Sequence, residues 1–268
     1  MAGAPLTDLA EARAKAVASG VSLPPSAGFR LDGAGQAELT PGSDPALRLV
    51  TFGSLASADA IAVLVPGMGH TAAEFDRPAG PRNTADAAVT VSDNARALQA
   101  QAQAEAGDTA VAVVAWLGYV PPSSPVAALQ TGALAQGAAN LTAFQEFLRT
   151  VRPEARITWV CHSYGSLVCA AARAAAPEAI VLLGSPGVQL SSATAFTGLG
   201  VELFAAGGDS DLIGLTQAMR PLGIGFGPDP ASPDFGAQII ACDPGTGHSD
   251  YLLPGNASLA GVAAAVLG

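Results

Sequence analysis

The chain has 268 residues, of which 50% are hydrophobic and 13% charged, with a formal net charge of −10. That is enough apolar chain for a large buried core, and it excludes an intrinsically disordered protein. The negative balance, with no basic cluster to offset it, argues against nucleic acid and anionic membranes as partners.

Residues 1–20 read as a short amphipathic helix. They lack the basic start and unbroken apolar run of a secretion signal. Cytoplasm is therefore the expected location, with a secreted mature form as the alternative. Residues 29–31 and 47–52 are short apolar pieces suited to edge strands. From Ile61 a rhythm sets in. Residues 61–65 are a continuous apolar run, expected to be a strand covered on both faces. A helix is expected over 85–106, a strand over 110–116 and a long helix over 126–151. In the last, Leu134, Leu141, Phe144, Leu148 and Val151 recur at helical spacing. A strand over 157–160 and a helix over 166–176 follow, then strands over 180–183, 201–206 and 237–241, and a closing helix over 257–267.

Strands alternating with helices predict an α/β fold: a mostly parallel central sheet with helices on both faces. No linker or repeat divides the chain. The expectation is one domain over 1–268, with an N-terminal helix and edge strands in 1–59 and a catalytic core in 60–268. The late loops are short, so little or no cap domain is expected. No window reaches the roughly 18 uninterrupted apolar residues of a membrane helix.

Cys161, Cys169 and Cys242 are odd in number and lack metal spacing. They are expected to be buried thiols. Cys161 and Cys169, which straddle a turn, remain open as a pair. Isolated histidines and the absence of a repeated carboxylate–histidine spacing give no support for a metal. No cofactor is expected, since neither phosphate-binding glycine pattern is present.

The turn after residue 160 carries the chemistry. Cys161-His162-Ser163-Tyr164-Gly165 joins a strand to a helix, the context of a nucleophile elbow. The usual pattern is G-x-S-x-G, and Cys161 stands in place of the first glycine as a small packing substitute. Ser163 is the expected nucleophile. A serine hydroxyl needs a base, an acid to orient that base, and donors for the oxyanion. His248, in a glycine-bracketed loop after the last strand, is preferred as base over His70 and His162. The acid is expected after the 201–206 strand. Asp211 is preferred, because Leu212 and Ile213 behind it would anchor the loop in the core. Asp209 is the alternative, placed where it suits a turn-capping role. Oxyanion donors are expected from the N–H of Tyr164 and from the loop of residues 66–70, with Met68 first and Gly67 or Gly69 as alternatives. His70, Trp116, Tyr119 and His162 are candidate pocket residues. Glu74, Asp76 and Arg77 read as solvated loop charges.

These segments resemble the α/β-hydrolase superfamily. More specifically, they are similar to an actinobacterial α/β-hydrolase family formerly catalogued as a domain of unknown function. The resemblance rests on VPGMGHTAAEFD at 65–76, VAWLGYVPP at 114–122, CHSYGS at 161–166, LLGSPGV at 182–188, DLI at 211–213, FGPDP at 226–230 and GHSDYL at 247–252. It implies Ser163 as nucleophile, His248 as base and an aspartate at 211. The implied activity is a serine hydrolase that cleaves carboxylic esters of a small acyl substrate through an acyl-enzyme. The same machinery serves amides, thioesters and polyesters. A hydrolase-fold protein that binds without turnover is the reading from another class. Oligomeric state is not legible in the sequence.

Overall fold

The structure, a computed structural model, describes residues 28–40, 43–75, 90–213 and 226–268. The expected N-terminal helix, the first residues of the expected 85–106 helix, Asp76 and Arg77 lie outside the described residues. A small antiparallel hairpin, β1 (Phe29–Leu31) with β2 (Ala37–Leu39), comes first. The main sheet has seven strands among the described residues, in the order β3-β5-β4-β6-β7-β8-β9. These are β3 (Arg48–Phe52), β4 (Ala60–Val65), β5 (Val111–Leu117), β6 (Arg156–His162), β7 (Ala179–Leu183), β8 (Glu202–Ala206) and β9 (Gln238–Ile239). Only β3 runs antiparallel to its neighbour; every other pair is parallel.

Helices cover both faces, which is why the central strands are uninterrupted apolar runs. Side chains alternate across the pleat. Val63, Val114 and Trp159 face one layer, made by α2 (Thr131–Val151) and α3 (Gly165–Ala172). Leu64, Val113 and Val160 face the other, made by α1 (Val91–Glu105) and α5 (Ala257–Leu267). The start of α1 is set by a capping box, in which Thr90 accepts from the Asp93 N–H and Asp93 accepts from the Thr90 N–H. In the α2 layer the indole of Trp159 donates to Gln145 at 3.0 Å, which satisfies a buried donor.

The sequence expectations differ from the structure in places. β2 is missing from them, because a three-residue strand containing Glu38 has no apolar run. The 126–151 helix is broken. Ala127–Leu129 form one 3-10 turn, Gln130 is extended, and α2 starts at Thr131. The apolar stripe explains this, because it faces the core only from the later residues. Val126 and Leu129 are 75% and 66% exposed and have no packing to hold them in a helix. The 166–176 helix tightens to a 3-10 turn after Ala172 and ends on left-handed Ala176, just before Pro177. The 237–241 strand shrinks to two residues at the sheet edge, paired only with β8. Between β7 and β8 lies one short helix, α4 (Thr194–Thr197). Among the described residues no helix is long and apolar enough to cross a membrane.

Candidate active site

Parallel strands β4, β6, β7 and β8 all end at one edge of the sheet, and their loops bring the candidate residues together there. Ser163 follows β6 directly with φ of 54°, a left-handed conformation that a serine adopts only under constraint. Two contacts supply that constraint. The Ser163 N–H donates to the Leu183 carbonyl at 2.9 Å. Gly165 lets α3 start close against β4: a Cβ there would stand 2.5 Å from the Val65 carbonyl oxygen and 2.7 Å from that of Pro66.

The position two before the serine is a correction to the sequence analysis. Cys161 is not a free packing thiol but forms a disulfide with Cys169 on α3. Both residues are fully buried, and the bond ties the strand before the serine to the helix after it. Closing so short a loop restricts the unfolded chain and stabilises the fold by about 2–3 kcal/mol in the chain-entropy model. Only Cys242 remains a free thiol. Burial pushes it up, with Asp243, Asp209 and Asp211 adding in the same direction.

Ser163, His248 and Asp211 form one hydrogen-bonded chain. His248 Nε2 lies 3.0 Å from Ser163 Oγ, and His248 Nδ1 lies 2.9 Å from Asp211 Oδ2 and 3.0 Å from Oδ1. The Asp211 side chain is only 1% exposed. Burial pushes its carboxyl up, but hydrogen bonds from His248, Tyr251 and the Ile213 N–H outweigh it and hold the group below its ordinary value. An ionised Asp211 accepts the Nδ1 proton and leaves the Nε2 lone pair toward Ser163. Leu212, assigned an anchoring role by the sequence, is 74% exposed and anchors nothing. Asp211 is held instead by Tyr251, whose O–H donates to Oδ2 at 2.6 Å and accepts from the Gly208 N–H at 2.9 Å. Tyr251 was not singled out by sequence reasoning. Its signal was its place three residues after His248 in an otherwise polar loop. Gly184, with φ of 53°, leaves room for this chain: a Cβ there would stand 2.7 Å from Asp211 Oδ2 and 3.0 Å from His248 Nδ1.

Asp209 does not meet the histidine. It accepts from the Gly245 N–H at 2.8 Å and so ties the acid loop to the histidine loop. The Ser210 N–H adds a second tie, to the Thr246 carbonyl at 3.2 Å.

The loop after β4 passes over the serine. A Cβ on Gly67 would stand 2.6 Å from Ser163 Cβ and 3.1 Å from Oγ. Met68 follows, 39% exposed, and Gly69 has φ of 85°. Opposite, the Tyr164 N–H sits at the start of α3, where helix amides lack intrahelical partners. Tyr119 and Trp116, expected as pocket residues, are instead fully buried in the core. Tyr119 acts from beneath, donating its O–H to the Pro66 carbonyl at 2.6 Å and stacking on Tyr164.

His70 and His162 do line a cleft, beside the histidine loop on the α1 side, together with Pro66, Asn94, Ser249 and Tyr251. Burial lowers His70, against the neighbouring charge of Glu74. His162 Nε2 is 2.6 Å from the His248 carbonyl, to which it donates, and the two rings lie 4.6 Å apart. His162 is lowered to about 3, first by burial and then by the His248 ring. An unfolded histidine titrates near 6.5. Between about pH 6.5 and 3 the unfolded chain therefore takes a proton that folded His162 refuses. Stability falls as pH falls through that window, by up to about 1.4 kcal/mol per pH unit, and His70 adds in the same sense. His162→Gln keeps an N–H for the His248 carbonyl and removes the titration. It is expected to flatten the pH dependence of the urea midpoint between pH 6.5 and 4.5, and an unchanged slope would assign the effect to another group.

Among the described residues no cluster of three or more His, Cys, Asp or Glu could hold a metal. An alpha/beta hydrolase family model matches residues 41–221. No curated protein matches the chain. Among solved structures, XC6422 from Xanthomonas campestris, described as an a/b serine hydrolase without lid, is 16% identical, with 91% of this chain and 93% of that one covered and a TM-score of 0.45. Carboxyl esterase 2 from Tuber melanosporum is 14% identical, with 97% and 96% covered and a TM-score of 0.40. Esterase PE8 is 15% identical, with 82% and 98% covered and a TM-score of 0.45. The match over residues 41–221, on a mostly parallel sheet with helices on both faces, places this chain in the alpha/beta hydrolase family.

Proposed function

We propose that this protein is a serine hydrolase that cleaves carboxylic esters through an acyl-enzyme. The observation that carries this reading is the unbroken hydrogen-bonded chain Asp211–His248–Ser163, with the serine on a left-handed turn at the carboxyl edge of the sheet. Ser163 Oγ attacks the acyl carbonyl as His248 Nε2 takes its proton. Asp211 holds the Nδ1–H tautomer and stabilises the imidazolium. The Tyr164 N–H and the Met68 or Gly67 N–H donate to the oxyanion as the carbonyl becomes tetrahedral. Collapse breaks the C–O bond to the alcohol, which leaves with the proton from His248. Water then attacks the acyl-enzyme under the same base, releasing the carboxylic acid and regenerating Ser163.

The Cys161–Cys169 bond supports an oxidising compartment as the setting for this chemistry, rather than the cytoplasm. A fluorophosphonate tests the nucleophile. It is expected to add one phosphonyl group to the protein, mapped to Ser163 by peptide mass spectrometry and accompanied by loss of p-nitrophenyl acetate hydrolysis. A folded protein that remains unlabelled, or is labelled elsewhere, overturns the proposal.

A further inference from the structure

The rim of the site is uncharged and apolar on one side. No charged residue lies between Asp108 and Glu146, in a chain whose net charge is −10. That interval includes the whole connection from β5 to α2. Within it Val120, Val126 and Leu129 are 45%, 75% and 66% exposed, and Met68 on the neighbouring loop is 39% exposed. These four are most of the large apolar side chains exposed among the described residues. They share one edge of the sheet, because their loops follow the carboxyl ends of the parallel strands β4 and β5. The two loops are joined to each other and to the serine. The Gly69 N–H donates to the Pro122 carbonyl at 3.0 Å, Tyr119 donates to Pro66, and Gly67 lies against Ser163. The loop after β7 is likewise charge-free, since no charged residue lies between Glu178 and Glu202.

Exposed apolar side chains scattered singly need no explanation, whereas a cluster at the mouth of a site marks what docks there. The 3-10 turn at Ala127–Leu129 gives this cluster its shape, because it carries Leu129 outward, next to Val126, instead of folding both into α2. A charged or strongly polar molecule placed here would lose water and find no charged side chain to pair with among residues 109–145. An anionic surface would also meet the chain's own negative charge.

We infer that Met68, Val120, Val126 and Leu129 form a docking brow that seats the Ser163 site on the surface of a water-insoluble, uncharged ester, with an ester group reaching the serine from that surface. This rests on the serine-hydrolase reading for its chemistry, but its surface binding is measurable without turnover.

The test uses emulsified trioctanoylglycerol. The Ser163→Ala protein, which cannot consume the droplets, is expected to be depleted from the aqueous phase by them. Adding Val126→Ser and Leu129→Ser is expected to lower the partition coefficient at least tenfold. Leu199→Ser, the same chemical change at the opposite end of the sheet, is expected to leave it unchanged. Vesicles of phosphatidylglycerol are expected to hold the protein less well than the neutral droplets. Equal adsorption by the double variant, or an equal loss with Leu199→Ser, overturns the inference. So does a dimer in light scattering that the double variant dissociates, since the brow would then be an interface between copies. With Ser163 present, the ratio of tributyrin turnover above its solubility limit to p-nitrophenyl acetate turnover is expected to fall at least fivefold in the double variant. Brow-dependent adsorption without fluorophosphonate labelling would support the docking surface and defeat the hydrolase reading. Labelling and acetate hydrolysis without adsorption would do the reverse.

Discussion

Asp211→Asn is expected to lower kcat for a short-chain ester by about 10,000-fold, while Asp209→Asn stays within a few-fold of the unsubstituted enzyme. The two residues lie two positions apart on one loop, and the difference comes from what each carboxylate touches. Asp211 accepts from His248 Nδ1 at 2.9 Å and from the Tyr251 O–H at 2.6 Å, and its other oxygen accepts from the Ile213 N–H at 2.8 Å. An amide in its place keeps one acceptor and gains a donor. With its oxygen retained by the Ile213 N–H, its NH2 faces His248 Nδ1, which must then become an acceptor. The proton moves to Nε2, and the base facing Ser163 loses its lone pair. The loss falls on kcat, because binding of the acyl group is untouched. Asp209 accepts a single N–H, from Gly245, and asparagine accepts it equally well. Steady-state kinetics of the two variants, with thermal melts to confirm folding, decide the matter. Equal losses would show that the acid loop acts through its shape, and would remove Asp211 from the mechanism.

Which residues meet at the sheet edge was more legible in the sequence than the local architecture. The strands of the sheet were legible because β4, β5 and β7 are buried on both faces and so are pure apolar runs. Element ends were less legible where tertiary packing decides them. Val126 and Leu129 have the spacing of a helix but face water, and β9 has the composition of a strand but only one neighbour. Sequence reasoning prefers Asp211 because Leu212 and Ile213 behind it would anchor the loop in the core. The leucine is exposed, and the residue that holds the aspartate, Tyr251, comes from another loop. No local pattern announces a partner 40 positions away. Cys161 shows the opposite difficulty. It looked like a defect in an elbow motif, because spacing of eight residues cannot reveal whether two thiols face each other. With the pair bonded, the missing glycine becomes half of a staple across the turn that displays Ser163.

That staple, the left-handed backbone and the Gly165 contact hold Ser163 from below. Gly67 holds the space above it, and Gly67→Ala is expected to lower kcat by about 100- to 1,000-fold, the loss that accompanies removal of one oxyanion donor. Its φ lies outside the left-handed region that favours glycine, so the effect is one of space. The new methyl group would stand 2.6 Å from Ser163 Cβ, a separation that carbon atoms do not tolerate, and 3.1 Å from the His162 carbonyl oxygen. Neither side can yield cheaply. Ser163 is pinned by its N–H to Leu183, and the loop is pinned by Tyr119 O–H on the Pro66 carbonyl and by the Gly69 N–H on Pro122. Whichever shifts, the donors at Met68 and Gly67 move relative to the attacking oxygen, and about 1–3 kcal/mol of stability is lost to overpacking. Gly69→Ala separates the two effects. A methyl group there meets nothing within 4 Å, but the φ of 85° strains any residue with a Cβ. It is expected to lower stability by about 1–2 kcal/mol with kcat within a few-fold of the parent. Single-turnover acylation rates and urea midpoints for the two variants give both quantities. If Gly67→Ala acylates at the parent rate, the loop over Ser163 supplies no oxyanion donor, and the stabilising groups must come from the Tyr164 side alone.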